Sequence, residues 1–342
     1  MTADEMTDRR PHPHTPEPFL ASMDPEIAAV LDAVPPMDLR DLDRARRERD
    51  ELASSARAAW TPNGTVGIDS RTVTAGSGQS IGLRIYRPLA RTASGSALVW
   101  MHGGGHVMGR VEQDDPFLHQ VVDDTGCVVV SVDWRRAPEH PYPAAIEDSY
   151  NALAWTAEHA DELGVDERRI VIGGASSGGG LAAGLALLAR DRGEVRPAAQ
   201  FLIYPMLDDR GITPSSRAVA HPHLWNAESN TIAWRHYLRG LPDGDVPPYA
   251  APSRATDLSG LPETWLATAT LDLFVDENVD YAQRLMHAGV PVELHVYPQA
   301  VHGFDLFAPQ ARVTRRYKRE RDAALARLLG RAQHTTAPRT GA

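Results

Sequence analysis

Apolar positions follow two different rhythms along this chain. Over residues 24–59 they recur at helical spacing. Asp24 can cap, Pro25 suits a first helical turn, and Ile27, Val30 and Leu31 line one face. A second helix, rich in Arg, Asp and Glu, is predicted over 38–59. Two strands follow at 66–73 and 81–86, joined by the turn Gly76-Ser77-Gly78. Then the pattern changes. Near-continuous apolar runs at 97–101, 127–132, 170–172, 200–204, 263–267 and 292–296 alternate with helical stretches such as 144–159, 179–190 and 275–288. Strands that are apolar throughout are buried on both faces. The chain is therefore expected to be an α/β protein with a mostly parallel central sheet and helices on both sides. Nothing repeats at a fixed period, which excludes a solenoid. Residues 209–250 break the alternation: they carry prolines, histidines, Trp225 and Trp234, with a helical run over 227–238. Together with residues 19–60 this insertion is expected to form a helical cap over one end of the sheet. The predicted organisation is a disordered tail at 1–18, one domain over 19–332 and a flexible tail at 333–342.

Composition narrows the partners. The 342 residues carry a formal net charge of -10, with 42% hydrophobic and 23% charged residues, as in ordinary globular proteins. The only basic run, Arg315-Arg316-Tyr317-Lys318-Arg319, leads into Ala323, Leu325, Leu328 and Leu329 at helical spacing. It reads as the solvated face of a final helix, so no nucleic-acid partner is expected. No window of about 18 apolar residues predicts a membrane span. The first 18 residues, with Pro11, Pro13, Pro16 and Pro18, are too polar for a signal peptide or for ordering, so a cytoplasmic location is expected. The lone Cys127 lies in an apolar run and reads as a buried small hydrophobe. An exposed edge strand would permit a homodimer.

The candidate chemistry begins at Gly174-Ala175-Ser176-Ser177-Gly178, a G-x-S-x-G pentapeptide. An apolar strand precedes it and a small-residue helix follows. In that context the chain must turn sharply from strand to helix, and the turn presents Ser176 beside a helix N-terminus. Ser177 is the competing nucleophile but sits off the motif's centre. No Gly-Lys-Ser/Thr follows, which argues against a phosphate-binding loop. Upstream, the strand at 97–101 runs into His102-Gly103-Gly104-Gly105-His106. Glycines there leave backbone N–H groups unshielded for an oxyanion. A metal pair of His102 and His106 is disfavoured, because the glycines break the helix that would align them, and no metal or cofactor is expected.

A serine nucleophile needs a base, and the base needs a group that holds its tautomer. Among 14 histidines, His302 stands out, because it follows a strand by a short loop. His295 lies inside that strand, and His221 and His223 lie in the insertion. Asp272 lies just past the strand at 263–267; its rival Asp276 is expected to cap the next helix. The order Ser176, Asp272, His302 is that of α/β-hydrolase triads.

These stretches, with Ser131-Val132-Asp133-Trp134-Arg135-Arg136-Ala137-Pro138-Glu139-His140-Pro141, Leu202-Ile203-Tyr204-Pro205 and His302-Gly303-Phe304, make residues 25–306 resemble the hormone-sensitive-lipase family of α/β-hydrolases, in its bacterial esterase branch. The resemblance implies a triad of Ser176, Asp272 and His302. It implies oxyanion donors from Gly104, Gly105 and Ser177, and a cap from the N-terminus and an insertion. It also implies that Asp133, Arg135 and Glu139 form an ion-paired turn under the site. Ala175, His106, Arg136 and Gly180 depart from the family pattern. The expected activity is hydrolysis of small or medium acyl esters, with His106, Met108, His223 and Trp225 shaping the substrate space. An amidase or deacetylase of a specialised metabolite, or a non-catalytic small-molecule receptor on the same fold, are the alternatives.

Overall fold

The computed structural model describes residues 21–74, 78–89, 95–242 and 244–330. The predicted tails at 1–18 and 333–342, and the first two residues of the turn at 76–78, lie outside them. Eight strands form one sheet: β1 (Val66–Thr74), β2 (Ser80–Pro88), β3 (Gly95–Met101), β4 (Val128–Asp133), β5 (Val165–Ala175), β6 (Ala199–Ile203), β7 (Glu263–Ala269) and β8 (Val292–Tyr297), in the order β1-β2-β4-β3-β5-β6-β7-β8. β2 pairs antiparallel with β1 and β4; the remaining pairs are parallel. Burial explains the two strand patterns. β3 and β6, inside the sheet, are buried almost residue for residue, whereas the edge strand β1 alternates toward solvent.

The longer helices are α1 (Pro25–Leu31), α2 (Leu42–Ala58), α3 (Asp115–Thr125), α4 (Ala144–Glu158), α5 (Ser177–Arg192), α6 (Ala227–Tyr237), α7 (Val275–His287) and α8 (Arg312–Gly330). α5 packs on α4, β5 and β6, while α8 packs on α3, β3 and β5. Leu181 to Ala189 of α5 are buried without interruption, because that helix is enclosed on every side. Across β6 and β7 the paired residues Phe201 and Trp265 stack with ring centroids 4.2 Å apart, filling the sheet face at its middle. No helix among the described residues is long and apolar enough to cross a membrane.

The sheet register positions the loops that matter. Met101 pairs with Gly174, Ala175 with Ile203, Ile203 with Ala267, and Ala269 with Tyr297. The ends of β3, β5, β6, β7 and β8 are thereby level, and the loops that follow share one edge. The N-terminal segment and the 209–250 insertion bind one another. Met37 N donates to Pro222 O at 2.7 Å, Ser229 Oγ donates to Met37 O at 3.2 Å, and the His223 ring bonds Val34 O.

Candidate active site

The turn after β5 carries Ser176 at φ 56° and ψ −121°, a conformation that side chains rarely adopt. The neighbours explain how it is tolerated. A Cβ on Gly174 would lie 2.3 Å from the Gly178 carbonyl oxygen, and one on Gly178 would lie 2.0 Å from Met101 O. Only glycines let the elbow pass this close to β3. Ser176 N donates to Ile203 O at 2.9 Å, and Ser176 O accepts from Met206 N at 3.0 Å, so β6 and the loop after it grip the turn.

Three side chains distant in sequence meet at the sheet edge. His302 Nε2 lies 3.0 Å from Ser176 Oγ, and His302 Nδ1 lies 2.7 Å from Asp272 Oδ2. Asp272 is fully buried; its Oδ1 accepts from Phe274 N at 2.9 Å. The loops bearing the acid and the imidazole are tied together by Leu271 N donating to Ala300 O at 2.9 Å. The imidazole is flanked edge-on by Tyr204 at 4.7 Å and Phe274 at 5.1 Å, which restricts its rotation. Tyr204 OH donates to Asp305 Oδ1 at 2.9 Å, which anchors one of those flanks.

The glycine turn after β3 lies against the elbow: a Cβ on Gly103 would sit 3.4 Å from the Ser176 Cβ. Gly104 has φ 145° and no room for a side chain, since a Cβ would meet Met108 O at 1.9 Å. Gly105 has φ 60°, and its Cβ position lies 2.1 Å from the ring of Trp225. Among the described residues no acceptor takes the N–H of Gly104, Gly105 or Ser177. Ser177 opens α5, where a helix leaves its first amides unpaired.

The other expected lining residues are distributed differently. Trp225 covers Gly105. His106 is 1% exposed and stacks on Tyr237 at 3.9 Å; burial pushes its imidazole down to about 3, so it is neutral. His223 joins the 209–250 insertion to the N-terminal segment through Val34. Met108 borders a cavity of about 640 Å³ behind the glycine turn, with Arg46, Asp133, Arg136 and Glu139. That cavity touches none of Ser176, Asp272 and His302, so it is separate from the chemistry.

Two expectations are corrected. Asp133, Arg135 and Glu139 do not pair with each other. Arg135 forks onto the buried Asp148 at 2.8 Å, Glu139 binds Arg46 at 2.7 Å, and Asp133 comes within 3.9 Å of Arg136. Short turns place neighbours side by side, but long side chains reach across elements instead. Asp276 does not cap α7: Phe274 holds the cap position, and Asp276 Oδ2 accepts from Ser215 N at 2.8 Å, bracing the insertion.

Several site residues carried no signal of their own in the sequence. Among the described residues, the non-glycine residues with positive φ are His106, Ser176, Tyr204 and Gln299, and they follow β3, β5, β6 and β8. Backbone strain is therefore concentrated at the edge that holds the three side chains. Glu277 is buried behind Asp272, with Oε1 accepting from Leu207 N at 2.7 Å and Asp208 N at 3.2 Å. Burial pushes its carboxyl well above the usual carboxylate range, and nearby Asp208 and Asp272 add to the shift against the pull of the two amides.

Known proteins share this fold and much of this sequence. Residues 98–306 match the α/β-hydrolase fold family. Esterase LipI of Mycobacterium tuberculosis is 37% identical over 290 residues, covering 83% of this chain and 88% of that protein. Carboxylesterase NlhH of Mycobacterium tuberculosis is 39% identical over 246 residues, covering 70% of this chain and 76% of that protein. The solved structure of a bacterial heroin esterase superposes with a TM-score of 0.88 at 41% identity, over 92% of this chain and 99% of that one.

Proposed function

Since this chain belongs to the α/β-hydrolase family, in its hormone-sensitive-lipase-like branch, we propose that it hydrolyses small or medium acyl esters through a Ser176–His302–Asp272 triad. It is a hydrolase of the serine carboxylesterase type. The observation that carries the proposal is the unbroken hydrogen-bonded line from Ser176 Oγ through both ring nitrogens of His302 to the buried Asp272.

In the first half-reaction Ser176 Oγ attacks the ester carbonyl carbon as its proton passes to His302 Nε2. The carbonyl oxygen becomes an oxyanion facing the amides of Gly104, Gly105 and Ser177, at the positive end of α5. Asp272 stabilises the imidazolium and keeps the neutral ring in the tautomer with its proton on Nδ1. Collapse expels the alcohol, which takes the proton from His302 Nε2. Water then attacks the acyl-enzyme, giving a proton to the same nitrogen, and Ser176 Oγ leaves by taking that proton from His302 Nε2 as the acid is released. Trp225, over Gly105, would bound the acyl side, and the segments at 19–60 and 209–250 would act as one cap.

The direct test is turnover of p-nitrophenyl esters of graded chain length, which should be fastest for short and medium chains. Activity confined to amides of matched structure would refute the ester assignment. The base mechanism also has a pH signature. A protonated His302 has no lone pair for the Ser176 proton, so kcat/KM should fall as the solution is acidified. A profile that stays flat far into acid contradicts a histidine base. Gly104→Ala is expected to lower kcat on the order of 10²–10³-fold, because its Cβ would displace the turn that aims the amides. Wild-type kcat in a folded Gly104→Ala variant would remove Gly104 from the oxyanion site.

A further inference from the structure

We propose that Arg46, on α2 of the N-terminal segment, is a positioning residue that latches the cap onto the glycine turn and holds its oxyanion amides in place. The inference rests on reading Gly104 and Gly105 as oxyanion donors. The Arg46 side chain is only 24% exposed. Its Nε donates to Val107 O at 2.7 Å, and one terminal nitrogen donates to Ala137 O at 2.8 Å. The outer edge of the guanidinium forks onto Glu139, at 2.7 Å and 2.8 Å. Ala137 in turn donates its N–H to His106 O at 3.0 Å. One planar group thus binds the glycine turn and also the segment that braces it.

The carbonyls of this turn are pinned in succession. Gly103 O accepts from Gln113 Nε2 at 3.2 Å, Gly104 O from Met108 N at 2.9 Å, and Gly109 O from Arg136. Among these bonds, the one to Val107 O alone comes from the N-terminal segment. Holding carbonyls fixes peptide planes, and fixed planes aim the N–H groups left over. Those left over are the amides of Gly104 and Gly105. Lysine cannot reproduce the arrangement, because a single ammonium cannot meet two carbonyls and a carboxylate lying along one planar fork. Cap closure and oxyanion geometry are therefore mechanically joined.

The test uses the full chain with p-nitrophenyl butyrate and a trifluoromethyl ketone. The ketone adds Ser176 Oγ to its carbonyl carbon, passes the serine proton to His302 and leaves an oxyanion at the amides. Arg46→Ala should lower kcat on the order of 10–100-fold and weaken the ketone by a similar factor, with KM changed by less than about threefold. Arg46→Lys should recover only part of either loss. Arg44→Ala, on the same helix and paired with Asp38, should keep kcat within about twofold. A folded Arg46→Ala with unchanged kcat and ketone affinity, or one that acts through KM alone, overturns the latch. If Arg46→Ala does not fold, Arg46→Lys decides: equal kcat and ketone affinity to wild type overturn it. Failure of the underlying reading would look different, since a folded Gly104→Ala would then keep wild-type kcat and ketone affinity.

Discussion

Ser176→Ala is expected to lower kcat for a p-nitrophenyl ester about a millionfold, leaving KM nearly unchanged. The size follows from the geometry. Ser176 Oγ is the atom 3.0 Å from the ring nitrogen of His302, and among the described residues no other hydroxyl is bonded to that ring. Ser177 does not rescue the reaction: its hydroxyl is buried beside the elbow, with no hydrogen-bond partner among the described residues. Residual turnover would come from the amides and from substrate positioning, which survive the substitution. Fold should also survive, because the elbow is held by main-chain bonds of Ser176 to Ile203, Gly180 and Met206. Steady-state kinetics on a variant with a wild-type thermal midpoint checks this; a loss of only tenfold would displace Ser176 from the mechanism.

Asp272→Asn should cost about 10⁴-fold in kcat. Asparagine is the same size, so the bond from Phe274 N to the Oδ1 position is retained. With the amide oxygen in that position, the amide nitrogen faces His302 Nδ1. It can only donate, which drives the ring proton to Nε2 and removes the acceptor that Ser176 needs. No anion then faces the imidazolium formed at the transition state. Full burial of Asp272 leaves no room for water to substitute. The loss should appear in kcat across the pH range, and a variant within tenfold of wild type would reduce Asp272 to a structural loop residue.

How much of this was legible in the sequence depends on what kind of force makes each feature. The interior strands were visible, because burial on two faces demands runs such as Val128-Val129-Val130 and Leu98-Val99-Trp100 that no solvated segment needs. The three side chains that meet at the sheet edge were visible because steric demands at the elbow force glycines around Ser176, and because Asp272 and His302 each follow a strand closely. Arg46 was not. It sits among Arg44, Arg47 and Arg49 on a charged helix, and its partners are backbone carbonyls 61 and 91 residues away. Carbonyls have no residue identity, so no pattern announces such a contact. The flanks of His302 were hidden for a related reason. Tyr204 and Phe274 look like ordinary core aromatics, and only the level ends of β6, β7 and β8 bring them to the imidazole. His106 illustrates the converse. Its place after the glycines suggested a pocket wall, but stacking on Tyr237 takes the ring into the protein interior.

The convergence of Ser176, His302 and Asp272 is tested most directly by locating a covalent label. Wild-type protein treated with a fluorophosphonate and digested should carry the phosphonyl group on Ser176, as resolved from its neighbour Ser177 by tandem mass spectrometry. The label should be lost in His302→Ala, because the hydroxyl is then no longer activated. A phosphonyl group on Ser177 or any other residue, or undiminished labelling of Ser176 without His302, would contradict the account.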